Sequence, residues 1–446
     1  MKSKILVFIF FVLTFGAAFT AVAQDTGELE LTLQQAVERA LEENHQIIIS
    51  RNLAEVDAKS ATRGNAGYLP TLSLNSSYSE SMEDSRFEFS GGENEQDVSG
   101  SRASNLNASV EFNWVLFDGL GNRYRFESLQ ATQDLSSAQT RQEIEGTLLD
   151  VITRYLDVTL QSQLLDVSEE AVEVSAQRYS RARQNYDMGG GSQVDLLNAE
   201  VDLNSDSIRV AETELALNQA KRNLLVLIGE SPAQDLSADQ EISLDDELSL
   251  DTLLHSALSD NSRLSATNIE SERARLQLQQ SRAARYPELS TQASYNYNRR
   301  SSDAGQFTFQ ETDGFTAGVA LSFNIFDGFR RNIEIQNNEI LLKNSREQYE
   351  LVEKEIESAL LNAYDTYTTN LLLYEKQELN IQTAEVNFDR TRLAFEQGQV
   401  SNTDFREAQL NLLEARQELI SRRADAKLSE IELLRLAGKL LPTSED

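Results

Sequence analysis

Residues 183–195 read RQNYDMGGGSQVD and residues 392–404 read RLAFEQGQVSNTD, and both fit one pattern of five residues spaced three apart. The pattern is Arg, then Tyr or Phe, then Gly, Ser and Asp, and its two copies lie 209 positions apart. Three further pairs keep that separation, namely Tyr155 with Tyr364, Ala199 with Ala408, and Gly229 with Gly438. Matches at one constant distance predict an internal duplication, so each half should build the same set of elements.

The first 23 residues have the composition of a secretory signal. Lys2 and Lys4 precede an apolar run at 5–15, and Ala21-Val22-Ala23 supplies the small residues of a cleavage site. A single-pass membrane anchor is the alternative, but the apolar run is short for one. The chain has no Cys, which excludes disulfides, thiolate metal sites and a lipid-modified N-terminal Cys. We therefore expect an exported protein without a covalent lipid anchor.

The charge balance is strongly acidic, since 40 Lys and Arg against 72 Asp and Glu give a net charge of −32. Such a surface excludes nucleic acid as a partner, because binding to phosphates needs basic patches. After residue 23, no apolar stretch approaches the ~18 residues of a membrane helix. A mature chain that meets a membrane must therefore do so as a β-barrel, the other structure that satisfies every backbone hydrogen bond in lipid.

Glycine and proline divide the rest of the chain into helical and extended segments. Gly229 and Gly438 are each followed within four residues by a proline, which is a helix stop signal. Pro70 and Pro287 each end a helical pattern and begin an alternating one. Between these stops, apolar residues recur every three or four positions. The predicted helices are 33–66, 121–187, 192–229, 251–285, 330–396 and 400–437.

Two of these helices are predicted to span 67 residues, which is ~100 Å at ~1.5 Å per residue. That length is typical of a coiled coil or a helical tube, and not of a globular domain. Each long helix turns at one copy of the repeated pattern and then returns, so the chain divides into two repeats. The predicted divisions are a signal peptide at 1–23, a first repeat at 24–229, an acidic equatorial linker at 230–250, a second repeat at 251–438 and a tail at 439–446.

Four segments alternate apolar and polar residues, and they lie at about 71–80, 105–117, 288–299 and 314–325. Val110, Phe112 and Trp114, for example, share one face of their segment. Each segment is near the ~9–11 residues that cross a bilayer as a tilted strand. A soluble β-sandwich is the alternative, since its strands alternate as well. The connections at 81–104 and 300–313 are predicted to be outer loops.

Four strands are too few to close a membrane barrel, since the smallest such barrels need ~8. An open sheet edge in lipid would leave backbone groups unpaired at several kcal/mol each. The barrel is therefore predicted to be shared between copies of the chain, and three copies give twelve strands. The chain is therefore predicted to be a mixed α and β membrane protein with a shared barrel.

Over essentially all of its mature length, the chain resembles the TolC-type outer membrane efflux proteins. The repeated helix–strand–strand–helix plan carries the resemblance, together with the tip pattern and the strand exits Phe117-Asp118-Gly119 and Phe326-Asp327-Gly328. One Phe-Asp-Gly is weak, because Asp is a common helix N-cap, but two copies at one separation are specific. The exits lack a proline that often precedes the aromatic residue in the family, since Val115 and Asn324 stand there.

The family resemblance that these motifs carry implies the full fold class, in which a trimer forms a 12-stranded β-barrel continued by a long α-helical barrel. It implies that this homotrimer lies in the outer membrane of a Gram-negative cell, with its helical barrel in the periplasm. It implies a passive exit duct of a tripartite efflux or type I secretion system, embedded in outer membrane lipid. A periplasmic adaptor (membrane fusion) protein would join this duct to an inner-membrane transporter. Substrates of such ducts range from drugs and metal ions to polypeptides, and the sequence does not choose among them.

The resemblance also implies that the two helical tips close the periplasmic mouth and dock the adaptor. The predicted docking residues are Arg183, Tyr186, Gly189, Ser192, Arg392, Phe395, Gly398 and Ser401. The predicted aperture residues are Asp195, Asp404 and Glu407. Three copies would arrange these carboxylates as rings of like charge, which are costly to close and attract cations. Val400 stands where relatives can carry a basic latch, so Arg183 and Arg392 are the remaining candidates to pair with the tip acids.

A purely structural explanation of the tips remains open beside the functional one. Ser192 and Ser401 are placed to cap the returning helices, with Asp195 and Asp404 completing capping boxes three residues later. The acids at the tips are equally consistent with a solvated helix face.

Catalysis has little support in the sequence. His45 and His255 are the two histidines, occupy unmatched positions and have no ligand spacing. There is no Gly-x-x-x-x-Gly-Lys phosphate loop and no nucleophile elbow. We therefore predict no enzymatic activity, no catalytic residues, no cofactor and no metal site. The alternative to a channel is a secreted or surface coiled-coil structural protein with a β-rich head.

Overall fold

The computed structural model describes residues 29–88, 95–239, 242–244, 248–303 and 307–440. The predicted signal peptide at 1–23 and most of the predicted tail at 439–446 lie outside these residues. The elements in chain order are β1 (Leu29–Leu31), α1 (Leu33–Glu43), α2 (His45–Ser60), β2 (Thr71–Glu88), β3 (Glu95–Phe117), α3 (Gly121–Asp187), α4 (Gln193–Leu227), β4 (Leu236–Ala238), α5 (Leu250–Asp260), α6 (Ser262–Ala283), β5 (Glu288–Ser302), β6 (Phe309–Ser322), α7 (Arg330–Glu396) and α8 (Asn402–Leu436). Among the helices of these segments, none combines the length and the apolar character that crossing a membrane requires.

The two longest helices, α3 and α7, begin and end at the predicted residues and contain 67 residues each. Each is followed by a glycine in the left-handed region, Gly189 with φ 77° and Gly398 with φ 72°. A residue without Cβ reverses the chain there at little steric cost. The helices α4 and α8, of 35 residues each, then return antiparallel along α3 and α7. The result is two long helical hairpins.

The predicted helices 33–66 and 251–285 are each interrupted, and both predictions were wrong in this respect. The breaks fall at Asn44 and Asn261, where the backbone is extended, with ψ 122° and 120°. Each Asn side chain accepts hydrogen bonds from two N–H groups of the helix that follows. Each also donates to the end of a return helix, Asn44 to the Leu227 carbonyl at 2.7 Å and Asn261 to the Leu436 carbonyl at 3.0 Å. One polar side chain therefore satisfies two helix ends at each break.

Glycines allow the backbone segments to approach each other closely at these two junctions. A Cβ on Gly229 would lie 2.8 Å from the Glu43 carbonyl oxygen, and a Cβ on Gly438 would lie 2.7 Å from the Asp260 carbonyl oxygen. Both glycines also have positive φ, of 79° and 72°. The helix stop signals of the sequence are thus also the points where the return helices meet the breaks between the short helices.

The strands β2, β3, β5 and β6 form one antiparallel sheet in that order. Its two hairpins have the same register. Thr71 pairs with Asn113 in the first hairpin, and the matched residues Glu288 and Ser322 pair in the second. The two hairpins therefore begin their pairing at matched positions.

The strands differ in length from the prediction, because backbone pairing continues where the apolar alternation has ended. β2 runs to Glu88 and β3 starts at Glu95, so most of the predicted outer loop 81–104 is strand. The predicted loop 300–313 is shortened in the same way by β5 and β6. β6 ends at Ser322, three residues before the predicted end, because Ser322 pairs with Glu288, the first residue of its partner β5.

A small core lies beside the middle of α3, where the predicted linker 230–250 contributes β4. β1 and β4 pair in parallel, with Leu29 opposite Leu236. The hydroxyl of Tyr155 donates to the Leu31 carbonyl at 3.0 Å, which ties α3 to this pair. The buried apolar residues of this core are Leu31, Ala36, Ala40, Val151, Tyr155, Val158, Leu217, Ala220, Leu224, Leu225, Ile228 and Leu236.

The long helices lie side by side in the order α4, α3, α8, α7, since α3 packs against both α4 and α8, and α7 packs against α8. The short helices α2 and α6 extend this layer toward the sheet, where both pack on α3 and α6 also packs on α7. α4 and α7 are thus the outer helices of the layer.

Candidate functional site

The two tips close with the same backbone hydrogen bonds. The N–H of Gly189 donates to the Tyr186 carbonyl at 3.0 Å, and the N–H of Gly398 donates to the Phe395 carbonyl at the same distance. These bonds satisfy carbonyls that the helix end leaves without a partner. The glycine and aromatic residues predicted for docking are therefore also the framework of the turns.

Both tip serines cap the returning helices as predicted, but one of the two predicted capping boxes forms. The N–H of Asp404 donates to Ser401 Oγ at 3.2 Å, and the N–H of Ser401 donates to Asp404 Oδ2 at 3.0 Å. Ser192 Oγ instead accepts from the N–H of Val194 at 3.1 Å, so the box predicted with Asp195 was wrong. The backbone also differs between the two caps, since ψ is 140° at Ser192 and 164° at Ser401, which changes the direction of the N–H groups that follow.

The three predicted aperture carboxylates are exposed near the starts of α4 and α8. Asp404 and Glu407 lie about one turn apart on the same side of α8. The carbonyl of Asp195 accepts a hydrogen bond from the Asn402 amide at 3.5 Å, so the two tips touch. Hydrogen bonds from the Ser401 hydroxyl, and then from its N–H, lower the pKa of Asp404. This acid therefore carries a negative charge and caps a helix at the same time.

The two tip arginines bond within their own helices. Arg183 donates to the Tyr179 hydroxyl at 3.4 Å. Arg392 pairs with Asp389 at 3.1 Å and lies over the ring of Phe388. Pairing with the aperture acids, the alternative left open by the sequence, is therefore not the arrangement within one folded chain.

The aromatic residues of the two tips differ in burial. Phe395 stacks on Phe405, with ring centroids 4.8 Å apart, and Phe405 stacks in turn on Phe388. Tyr186, the matched residue of the first tip, is 41% exposed. The second tip is thus packed against its own hairpin, whereas the first presents an aromatic side chain to its surroundings.

A buried polar cluster joins the first hairpin to α8, and sequence reasoning did not find it. We call it the tip network; its members are Ser175, Arg178, Asp202, Asp206, Asn402, Arg406 and Gln409. Arg406 donates twice to Asp206, at 2.6 Å and 2.9 Å. Arg178 donates to Asp202 at 3.0 Å and to Asn402 at 2.9 Å. Arg178 is 3% exposed and Asp206 is 1% exposed, so water competes little for these bonds.

Electrostatics favour the charged form of the Asp206–Arg406 pair in the tip network. Burial works against the charge on Asp206, yet hydrogen bonds from Arg406 and Ser175 outweigh it and lower the pKa of this carboxyl. Burial also opposes the charge on Arg406, but the hydrogen bond to Asp206 and the negative charges of Asp206 and Asp202 together outweigh it and raise the pKa of the guanidinium. A pair kept charged away from water depends on both partners, because loss of one leaves an uncompensated charge.

The tip network interrupts the repeat, and this is the signal that would have found it. The positions matched to Arg178, Asp206 and Arg406 hold Asn387, Ala415 and Leu197. A charged residue in one copy and an apolar or neutral one in the other marks a contact that one copy makes alone. Apolar periodicity, the signal used for the helices, passes over such positions.

The strand exits deliver the chain into the long helices. Asp118 accepts from the N–H of Asn122 at 2.7 Å, and Asp327 accepts from the N–H of Arg331 at 3.3 Å. Each Asp thus satisfies an N–H of the first turn of α3 or α7. The exit residues Phe117 and Phe326 are 43% and 71% exposed.

The exit glycines have unequal surroundings. A Cβ on Gly119 would lie 2.4 Å from the Ala283 carbonyl oxygen, at the end of α6. A Cβ on Gly328 would meet nothing within 4 Å. The two positions share the same positive φ, so the difference lies in what covers them.

The sheet has one apolar and one polar face. The register aligns Leu74, Val110, Tyr295 and Phe315 in one row across the four strands. Leu74 and Phe315 are 75% and 71% exposed, which is a large apolar exposure for side chains of this kind. At the end of this face nearer the helices, the Nε1 of Trp114 donates to the Tyr68 carbonyl at 2.9 Å. The adjacent row on the other face is small and polar: Asn75, Ser109, Asn296 and Gly314.

In the described ranges, no three His, Cys, Asp or Glu side chains lie close enough together to hold a metal ion. The two histidines lie on α2 and α5, at His45 and His255.

The chain belongs to the outer membrane efflux protein family, whose model, described as "Outer membrane efflux protein", matches residues 36–230 and 253–439. The resemblance inferred from the repeated pattern and the strand exits is confirmed. The family is one of efflux channels.

Individual relatives are distant but cover most of the chain. The outer membrane protein TolC of Vibrio cholerae is 21% identical over 92% of this chain and 91% of its own length. The outer membrane efflux protein BepC of Brucella suis is 20% identical over 74% of this chain and 72% of its own length. The crystal structure of the Campylobacter jejuni CmeC outer membrane channel shares the fold, with a TM-score of 0.77 over 93% of this chain and 87% of that one, at 14% identity.

Proposed function

We propose that the chain is an internal duplication that supplies one third of a trimeric exit duct in the outer membrane of a Gram-negative cell. Three copies would close a 12-stranded β-barrel and continue it as an α-helical barrel through the periplasm. The duct would serve a tripartite efflux or type I secretion system, receiving substrate from an inner-membrane transporter through an adaptor protein. The signal peptide predicted at 1–23 would export the chain.

The sheet carries this proposal. One of its faces is apolar and exposed, which suits contact with outer membrane lipid. Its edge strands, β2 and β6, each pair on one side within the described chain. A sheet edge in lipid leaves unpaired backbone groups that cost several kcal/mol each, so the edges must meet those of other copies.

The register between the halves suggests how the edges pair. β3 and β5 join the two halves and set Asn107 opposite Asn298. The positions matched to these two are Thr316 in β6 and Ser81 in β2, because Pro70 and Pro287 align the starts of β2 and β5. We therefore expect β6 of one subunit to pair with β2 of the next, with Thr316 opposite Ser81 of the partner subunit.

The outer helices of the layer offer a second pair of edges. α4 and α7 both expose apolar residues at heptad spacing, which is the pattern of a helix that packs along another. These residues are Val194, Leu197, Val201, Ile208 and Leu215 on α4, and Leu372, Leu379, Val386 and Leu393 on α7. Since α3 packs against α8 within the chain, α7 is expected to pack in the same way against α4 of the next subunit.

Adaptor docking is proposed at the tips. Seven of the eight proposed residues are exposed, namely Arg183, Tyr186, Gly189, Ser192, Arg392, Gly398 and Ser401, while Phe395 is half-buried. A groove of about 600 Å³ between α3 and α7 has α8 as its floor and includes Phe388 and Leu412 in its lining. A helix of the adaptor that packs along the tips would meet a mixed lining there, with apolar residues such as Leu412 and charged residues such as Glu173 and Arg392.

The aperture is proposed at Asp404 and Glu407, with Asp195 beside them. All three are exposed, and the contact between Asp195 and Asn402 brings the first tip to the second. In a trimer, the Asp404 and Glu407 carboxylates would form rings that narrow the mouth by repulsion and favour cations.

Cysteine cross-linking tests the trimer directly, since the chain has no Cys of its own. A variant with Thr316→Cys and Ser81→Cys should form covalent dimers and trimers on oxidation, because residues opposite each other on neighbouring strands have Cβ atoms ~5 Å apart. The matched control combines Thr316→Cys with Asn75→Cys, which lies six residues away on the same face and should stay uncrosslinked. Purified trimers should also conduct ions in a planar bilayer. A protein that is monomeric, or soluble without detergent, contradicts the proposal.

A further inference from the structure

The polar face of the sheet carries few charges. Five consecutive rows cross this face, from the row of Thr71 to the row of Ser79, and they consist mainly of serine, threonine, asparagine and glutamine. Within these rows, Glu111 and Arg300 are the charged residues. They lie on neighbouring strands but at different heights, since Glu111 pairs with Ser294 and Arg300 lies six residues further along β5. That separation is ~20 Å at ~3.3 Å per residue.

Each charge is surrounded by small polar side chains. Glu111 accepts from the hydroxyl of Ser109 at 3.0 Å and pairs across the strands with Ser73. Between the two heights, the amide of Asn298 donates to Asn105 Oδ1 at 3.0 Å, and also to Asn107. The wall between Glu111 and Arg300 is therefore neutral and bonded within itself.

We propose that Glu111 and Arg300 form two opposed charge rings that set the ionic selectivity of the strand segment of the duct. The proposal rests on the proposed function, since the rings form when three copies close the barrel with this face inward. The Glu111 ring lies nearer the helices, and the Arg300 ring lies nearer the outer mouth. The strand segment thus has its own selectivity, separate from the carboxylates at the tips.

The two rings in series define a class of solute. Three carboxylates at one height favour cations and repel anions, whereas three guanidinium groups ~20 Å away do the opposite. A polyanion meets a barrier at Glu111, and a polycation meets one at Arg300. Solutes without net charge pass both rings with the least hindrance, so the strand segment favours neutral and zwitterionic molecules over highly charged ones.

Reversal potentials of single channels in planar bilayers test this selectivity. Glu111→Gln should lower the cation-to-anion permeability ratio roughly twofold at ~0.1 M KCl, and Arg300→Gln should raise it by a similar factor. Both shifts should shrink at ~1 M KCl, where the screening length falls from ~10 Å to ~3 Å. The matched control is Arg299→Gln, because Arg299 follows the alternation onto the apolar face, beside Phe309. This variant should keep the wild-type ratio.

The outcomes separate this inference from the proposed function. An open pore whose ratio is unchanged by Glu111→Gln, or is shifted equally by Arg299→Gln and Arg300→Gln, overturns the two rings and leaves the duct intact. A wild-type protein that forms no pore and no trimer overturns the proposed function instead. Glu111→Asp, which keeps the charge, should retain the wild-type ratio and so distinguishes loss of charge from a distorted barrel.

Discussion

The flank of α3 and the matched flank of α7 have the same place in the repeat but different surfaces. α3 packs against α8, and the tip network with Arg178, Asp206 and Arg406 is buried in that contact. α7 instead exposes Leu379, Val386 and Leu393 at heptad spacing. The contact between α3 and α8 inside the chain is therefore polar near the tips. The exposed apolar residues of α7 would form one side of a corresponding apolar contact with another subunit. In the proposed trimer, the boundary inside a subunit and the boundary between subunits would therefore respond differently to substitution.

The largest expected effect comes from breaking the tip network at one partner. Asp206→Ala leaves Arg406 buried without its carboxylate, which should lower the stability of the hairpin packing by about 3–5 kcal/mol. Thermal unfolding of the detergent-solubilised protein measures this loss. The double variant Asp206→Ala with Arg406→Leu copies the residues at the matched positions, Ala415 and Leu197, and should recover most of the stability. If the double variant is as unstable as the single one, the polar pair at Asp206 and Arg406 cannot be replaced by the residues that stand at the matched positions.

The exit glycines sharpen the comparison at the other end of the helices. Gly119→Ala adds strain at positive φ, on the order of 1–2 kcal/mol, and a clash with the Ala283 carbonyl. Gly328→Ala adds the strain alone within one chain. In a trimer, the turn of the next subunit should cover Gly328, so both variants should lower the melting temperature by similar amounts. A clearly milder Gly328→Ala in the assembled protein would contradict equivalent packing at the two boundaries.

A smaller effect is expected from pH. The pKa of Asp206 is lowered in the folded chain, so its contribution to stability is present above its ordinary value of 3.8 and is lost as the pH falls toward the folded value. The melting temperature of the wild type should therefore drop more steeply below pH 3.8 than that of Asp206→Asn. Parallel curves for the two proteins would show that this carboxyl does not govern the acid sensitivity of the tips.

The smallest expected effect on stability, with a clear effect on conductance, lies at the aperture. Asp404→Asn with Glu407→Gln should raise the basal conductance and weaken the cation preference, because the rings of like charge are removed. Glu407→Gln alone is the cleaner change, since Asp404 also closes the capping box and its loss would weaken the start of α8. Glu407 has Asn198 as its matched residue, so Asn198→Asp provides the opposite change at the first tip. Unchanged conductance and reversal potential in all of these variants would contradict the assignment of the aperture to Asp404 and Glu407.

The sequence predicts those parts of the fold that depend on backbone punctuation and apolar spacing. α3 and α7 were predicted to the residue, because glycines with positive φ end both helices. The breaks at Asn44 and Asn261 were missed, because each Asn sits in a helical pattern and its role depends on a distant carbonyl. The extension of β2 and β3 was missed as well, since strand pairing there does not depend on apolar alternation.

The candidate site shows the same division. The turns and the serine caps follow from local sequence, and the structure contains them at Ser192 and Ser401. The tip network joins residues on α3, α4 and α8 that are up to 234 positions apart. Local patterns carry no information on such contacts, and comparison of the two copies at matched positions is what exposes them.

The two strand hairpins also differ in height, which has a consequence for the outer rim. β2 and β3 contain 18 and 23 residues, whereas β5 and β6 contain 15 and 14. Beyond the row of Tyr78, β2 continues for ten residues, roughly 30 Å of extended chain. The salt bridge between Arg86 and Asp97 and the bond from the Gly100 N–H to Asp84 brace this extension.

In a ring of three such subunits, the longer β2–β3 hairpins and the shorter β5–β6 hairpins would alternate around the rim. The mouth would be open sideways above β5 and β6, between the acidic extensions of β2 that carry Glu80, Glu83 and Asp84. Material leaving the duct would then disperse laterally over the cell surface as well as along the axis. An object too large to enter the pore would contact the three extended β2–β3 hairpins and would not seal the mouth.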